Sequence, residues 1–260
     1  ILVLVTGKPF AISWEKKHLP AILVQWYGGE QSGNVIADIL FGKVNPSGHL
    51  TVSFPQSAGH LPAYYNHLPT DKGLYHQHGS YEKPGRDYVF SSPDALWAFG
   101  HGLSYTSFSY SDFNTKVAED SITVSFTLSN DGGRDGKAVP QLYVRDCVSS
   151  VATPVKQLKA FNKVCLKSGQ KIRQHLKVAV VDLGFTDENG VYKVEPGAFE
   201  LMLGDASDNI LLKDTITIGD ATDNITEKSS AEHVVIEKNI KVQGTVRDMQ
   251  ATLMPGVEIY

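Results

Sequence analysis

Basic charge, cysteine and long apolar runs are all in short supply, and each shortage excludes something. Lys and Arg number 24 against 28 Asp and Glu, a net charge of −4. No basic field therefore exists to attract nucleic acid. No apolar stretch approaches the ~20 residues of a membrane-spanning helix. Cysteine occurs twice, at Cys147 and Cys165. Their spacing fits no metal motif, and they read either as isolated structural thiols or as a disulfide between nearby strands. Ile1 to Val5 is apolar but follows no basic region and precedes no small-residue cleavage site, so it reads as a strand and not as a leader. A strand of buried type at residue 1 gives the expectation that these 260 residues are a piece of a longer protein. What remains, 42% apolar and 20% charged, is an ordinary globular composition. Its length suits about two domains.

Against those absences stands one well-patterned stretch, Ala21 to Pro55. The apolar run Ala21-Ile22-Leu23-Val24 leads through Gln25, Trp26 and Tyr27 into Gly28-Gly29. From Gln31 or Ser32 the period changes: Val35, Ile36, Ile39 and Leu40 form a stripe down one side of a helix. Gly42 stands where a helix end wants a left-handed residue. Asn45-Pro46-Ser47-Gly48 makes a turn, and Leu50 to Phe54 is extended again, closed by Pro55. The pattern predicts a βαβ unit, with helices covering a mostly parallel sheet. Ahead of it, Ile1 to Val5 has the unbroken apolar character of a strand covered on both faces. Phe10 to Trp14 is expected to be extended or a short edge piece.

The rest divides by composition. Residues 63–112 are aromatic, glycine- and histidine-rich, with little periodicity; a segment of that length is functional or connects domains. Residues 113–219 read as all-β. Ile122 to Leu128 alternates, and further strands are expected at Val139–Val144, Leu158–Leu166, Ile172–Val181 and Gly197–Gly204, which suggests a sandwich of about seven strands. Residues 220–260 are a polar linker and the truncated start of a further β domain.

These residues resemble glycoside hydrolase family 3, the β-glucosidase and β-xylosidase family. The match to its C-terminal α/β domain rests on Trp26, Gly29, Gly33, Ala37-Asp38, Leu40-Phe41-Gly42, Asn45-Pro46-Ser47-Gly48, Leu50 and Phe54-Pro55. Gly28 departs from the family's usual Pro, and His49 from its usual Arg. Phe99-Gly100-His101-Gly102-Leu103-Ser104-Tyr105-Thr106 resembles the end of the family's linker. Asn130, Gly133, Gly136, Gln141-Leu142-Tyr143, Pro154, Leu158-Lys159 and Glu195-Pro196-Gly197 resemble its fibronectin type III-like domain. The resemblance implies a fold in order: residues 1–62 as part of a mostly parallel α/β sandwich, 63–112 as linker, 113–219 as the fibronectin-like sandwich. Ile240 to Ile259 resembles the opening of a carboxypeptidase regulatory-like β-sandwich.

For function the resemblance implies a retaining, exo-acting β-glycosidase that hydrolyses O-glycosyl bonds, above all in β-glucosides, in carbohydrate catabolism. Retention needs two carboxyl groups roughly 5–5.5 Å apart. In the family the nucleophile is an Asp on an N-terminal (β/α)₈ barrel, and the acid/base is a Glu upstream of the strand matching Ile1–Val5. Neither motif has a counterpart here, so no catalytic residue is assigned and this piece braces the site. An oligosaccharide or glucoside substrate would bind chiefly through the barrel; no cofactor is implied, and the family's bacterial members suggest a periplasmic or secreted setting. Arg86, Asp87, Tyr88 and Trp97 are the candidates for substrate contact, since sugars stack on aromatic faces and hydrogen-bond to charged groups. Trp97 could equally be mortar between domains. Glu30 reads as helix-dipole complement, Asp38 as a partner tying helix to turn, and Glu15 as solvated. His67, His76 and His78 lack a carboxylate or Cys at ligand spacing, and Asn224-Ile225-Thr226 is a sequon by pattern. The competing readings are a stand-alone fibronectin-like carbohydrate-binding or adhesion module, and a scaffold without binding chemistry. Neither has use for Ala21–Pro55.

Overall fold

A computed structural model describes residues 1–69, 82, 92 and 94–219. It is rich in strands and has few helices. Strands β1 (Leu2–Leu4) and β2 (Ile22–Val24) pair in parallel, Leu2 opposite Ile22 and Leu4 opposite Val24. Between them lies helix α1 (Ser13–His18), with Glu15 in its first turn and Lys16, Lys17 and His18 in its last. Those charges complement the helix dipole at both ends. Residues 13 and 14 are therefore helical, not extended as expected, and the crossover between parallel strands is α1.

Helix α2 (Ser32–Leu40) follows the turn after β2 and buries Val35 and Ile39. Gly42, at φ +71, ends it as the sequence suggested. Beyond the turn the expectation of a strand in the parallel sheet is not met. Residues 50–54 run antiparallel to 96–101: Leu50 N–H donates to His101 O, Gly100 N–H to Leu50 O, Phe54 N–H to Trp97 O and Leu96 N–H to Phe54 O. Ile12, Trp26, Leu50, Phe54 and Leu96 form the small core of this first unit, with Leu4, Ile22, Val24 and Trp97 packed against it.

The second unit is a β-sandwich. One sheet orders β13 (Asn209–Ile218), β12 (Gly197–Ala206), β6 (Gln141–Asp146) and β7 (Gln157–Phe161); the other orders β3 (Phe108–Val117), β4 (Ser121–Asn130) and β9 (Lys171–Ala179). Four and three strands make the seven expected, all antiparallel. The expected strand Leu158–Leu166 splits, because β8 (Val164–Leu166) leaves its sheet to pair with β5 (Gly136–Ala138). A hairpin of β10 (Phe185–Thr186) and β11 (Tyr192–Lys193) completes the strands. Alternation on β4 is clean: Ile122, Val124, Phe126 and Leu128 are fully buried while Thr123, Ser125 and Thr127 face outward. They meet Leu142, Val144, Leu201 and Leu203 of the facing sheet in the main core.

On β6 the alternation fails for a reason. Gln141, Leu142, Tyr143 and Val144 are all buried. Leu142 and Val144 face the sandwich core, whereas Gln141 and Tyr143 face the first unit, so both sides of this strand are covered.

Cys147 and Cys165 are free and exposed, which decides between the two readings of the thiols. Both should react with a thiol reagent in the native chain without denaturant; a titration giving fewer than two thiols under non-reducing conditions would contradict this. Among the described residues, no helix is long and apolar enough to cross a membrane.

Candidate functional site

A set of polar side chains knits the first unit to the sandwich, and Asn45, Tyr105, Asn130 and Gln141 among them are motif residues of the sequence. Asn45, from the Asn-Pro-Ser-Gly turn, accepts from Ser104 Oγ at 2.9 Å and from Tyr105 N–H at 2.7 Å, and donates to Asp135 O at 2.9 Å. Tyr105 in turn donates its hydroxyl to Ile39 O of α2 at 2.8 Å. Asn130 accepts from Thr106 Oγ1 at 2.6 Å and donates to Arg134 O and Leu166 O at 2.7 and 3.2 Å. Arg134 lies over the Tyr105 ring and donates to Gly42 O. One amide thus ties a helix-ending turn to the linker, and a second ties the linker to two sandwich loops.

Gln141, like Asn130, is almost fully buried. Its Nε2 donates to Gly100 O at 3.0 Å and to Asp205 O at 2.6 Å, and its Oε1 accepts from the Tyr143 hydroxyl at 2.6 Å. Gly100 sits at φ +83, and a Cβ there would fall 2.1 Å from Gln141 Oε1, so both conformation and space require glycine. Burial raises the Tyr143 pKa well above the ordinary phenol range. Tyr65 completes the packing: it stacks on Phe99 at 4.2 Å, meets Tyr143 edge-on at 5.8 Å, and accepts from Leu158 N–H at 3.2 Å. These contacts bring residues from both ends of the aromatic segment onto the outer face of the four-stranded sheet.

Of the four residues proposed for substrate contact, Arg86, Asp87 and Tyr88 lie outside the described residues, as do His76, His78 and Asn224. Trp97 is described, and its half-buried ring packs against the first unit's core. It packs edge-on against Phe54 at 5.8 Å beneath Lys16, whose Nζ stands 5.1 Å from the ring centroid. One side of Trp97 also lines an apolar groove of about 430 Å³ with Ile22, Val24, Ile39, Leu50 and Tyr105. No carboxylate lines this groove among the described residues, so it can hold an apolar or sugar face but supplies no carboxylic acid or carboxylate base. Of the remaining acids, Asp38 has a structural partner. Asp38 binds Lys43 at 3.0 Å and, through its carbonyl, Val44 N–H, tying helix to turn. Glu30 is exposed ahead of α2, and Glu15 is half-buried on α1. His67 bonds Leu68 O at 3.2 Å.

Comparison with known proteins supplies the identity. Residues 1–105 match the model of the glycosyl hydrolase family 3 C-terminal domain, and residues 138–207 that of the fibronectin type III-like domain. Over these residues the chain belongs to glycosyl hydrolase family 3. It is 39% identical over 211 residues to the periplasmic β-glucosidase of Salmonella typhimurium, covering 78% of this chain and 27% of that protein. To the β-xylosidase of Formosa agariphila it is 36% identical over 215 residues, covering 80% of this chain and 28% of that protein. A β-glucosidase of Listeria innocua, solved as a mutant in complex with laminaribiose, superposes with a TM-score of 0.76 at 30% identity, over 84% of this chain and 30% of that one. The chain thus spans less than a third of the length of these family 3 relatives, and what it matches is their C-terminal region.

The junction was not anticipated as a functional feature. Its signal was present in the family motifs, since asparagine, glutamine and glycine recur at their fixed positions. What those residues hold became visible only with both units in place.

Proposed function

We propose that this chain is the C-terminal portion of a retaining, exo-acting β-glycosidase that hydrolyses O-glycosyl bonds of β-glucosides in carbohydrate catabolism. The observation that carries the reading is the junction itself. Residues from the family 3 domain, the linker and the fibronectin-like domain interlock through Asn45, Gly100, Asn130 and Gln141, so the two units act as one brace. A stand-alone adhesion or carbohydrate-binding module would have no use for the first unit.

In this reading residues 1–62 are part of a mostly parallel α/β sandwich, of which the parallel pair β1–β2 is a remnant. Residues 63–112 link it to the fibronectin-like domain at 113–219, and 220–260 extend beyond it. The substrate is an oligosaccharide or glucoside held mainly by a barrel outside this chain, and the setting is periplasmic or secreted, in keeping with the Salmonella relative. Arg86, Asp87, Tyr88 and Trp97 line outer subsites beside that barrel, Trp97 with the ring side that faces the groove. The β-xylosidase relative keeps β-xylosides as the second candidate substrate.

Both catalytic carboxylates lie outside these residues, so the purified 260-residue chain should hydrolyse no aryl β-glucoside or aryl β-xyloside above the blank. Turnover that co-purifies with the chain and follows its concentration would overturn the reading.

A further inference from the structure

Where β6 and β7 run side by side, polar residues stand at positions that alternation assigns to the core. Gln157 pairs with Val144 in the β6–β7 ladder, and Val144 belongs to the main core. Directly opposite residues share a face of the sheet, so Gln157 is placed inward. Asp146, two residues beyond Val144, falls on the same side. Lys159 is the extra residue where the register shifts opposite Leu142 and Tyr143, a bulge of the kind that re-aims a side chain. All three are half-buried.

The protein does not fill the space beneath them. A cavity of about 160 Å³ lies between these strands, the loop at 151–154 and the segment 183–186. Val144, Phe185 and Phe199 give it carbon walls, and Thr153 and Thr186 add hydroxyls. Gly184 lets the neighbouring hairpin press close, since a Cβ there would fall 2.7 Å from Lys193 O. Lys193 in turn stands 5.6 Å from the Phe185 ring centroid. Among the described residues, the side chains of Thr153, Gln157 and Thr186 make no hydrogen bond. Asp146 accepts from Val148 N–H at 3.2 Å, and Lys159 donates to Asp182 O at 2.6 Å, which leaves each with capacity to spare. Burial above all, with the Glu195 charge adding to it, pushes the Asp146 pKa up.

We propose that this cavity in the sandwich binds a single neutral pyranose sugar. A sugar hydroxyl both gives and accepts a hydrogen bond, which suits a lining that holds both kinds of group. Asp146 and Gln157 Oε1 accept from hydroxyls; Lys159 and Gln157 Nε2 donate to hydroxyl or ring oxygens. The carbon face of the ring lies against Val144, Phe185 and Phe199. The volume admits one ring and no chain. Polar groups turned inward without partners are costly, and bound hydroxyls supply the partners. A zwitterion such as glycine is the competing occupant, because a carboxylate and an ammonium line the same space. The sugar is favoured because Lys159 is already answered by Asp182, and because an amide and two hydroxyls make up the rest of the polar lining.

The test is a ¹H–¹⁵N NMR titration of the full chain with D-glucose and, separately, with glycine. Glucose should shift the Gln157 side-chain amide and the Val148 and Thr186 backbone amides, with a Kd of a few millimolar, about what a ligand of this size attains. Trp14, Trp26 and Trp97 are the chain's three tryptophans and all lie in the first unit, so their fluorescence should stay constant during the same titration. Gln157→Ala should weaken glucose about tenfold. If that variant does not fold, nuclear Overhauser contacts in the parent chain from glucose ring protons to the Val144 and Val151 methyls decide the matter, and they should be present. No shift at these amides up to about 100 mM glucose would overturn the proposal. So would an unchanged Kd in a folded variant, absence of those contacts, or glycine moving the same amides at lower concentration than glucose.

Discussion

The Gln141→Leu chain should lose about 3 kcal/mol or more of unfolding free energy in urea. Leucine fills the space but leaves the Tyr143 hydroxyl and the Asp205 carbonyl without the partners Gln141 gave them, and removes one of two donors from Gly100 O. Each buried polar group stripped of its partner costs about 1–3 kcal/mol. Because Gln141 is 2% exposed, water cannot replace the amide. Tryptophan fluorescence and far-UV circular dichroism should both shift to lower urea, since the junction serves both units. A loss below about 1 kcal/mol would mean that the junction is wetter or looser than its hydrogen bonds indicate.

Phe54→Ala should cost about 3–5 kcal/mol, in a different place. Phe54 is fully buried, tilted against Trp26 at 6.0 Å and edge-on to Trp97 at 5.8 Å. Alanine leaves a cavity beneath two indoles in a core of five buried residues, where little else can close over it. The sandwich keeps its own, larger core. The expected result is an early fluorescence transition, with the circular dichroism transition of the sandwich nearly unmoved. Joint loss of both signals at low urea would show that the sandwich depends on the first unit for its stability.

How far the sequence could be read depended on the distance over which each element is specified. Helix α2 was legible because Val35 and Ile39 lie one turn apart and Gly42 supplies the left-handed end, all within eleven residues of Ser32. Strand β4 was legible because alternation is local. Helix α1 was missed: at six residues it shows too little periodicity, although Glu15 early and Lys16-Lys17-His18 late are dipole-compatible. The segment 50–54 was misassigned because an apolar extended run does not name its partner. That partner is 96–101, more than forty residues downstream. The strand expected from Leu158 to Leu166 broke because its two ends join different sheets.

The candidate site divides in the same way. Trp97 could be picked out as an aromatic in a distinctive segment, but its packing against Phe54 and Lys16 could not. His49 looked like a simple departure from the family's arginine, since its partner, the Gly100 carbonyl, lies 51 positions along the chain. By itself, then, the amino-acid order determined what is encoded by short-range period and fixed motif: the stripe of α2, the glycine that ends it, the alternation of the sandwich and the family to which the chain belongs. Tertiary structure alone decided the rest. Buried amides must find partners wherever the fold brings them, so the convergence of His49 and Gln141 on the Gly100 carbonyl was settled only when two units packed together and excluded water.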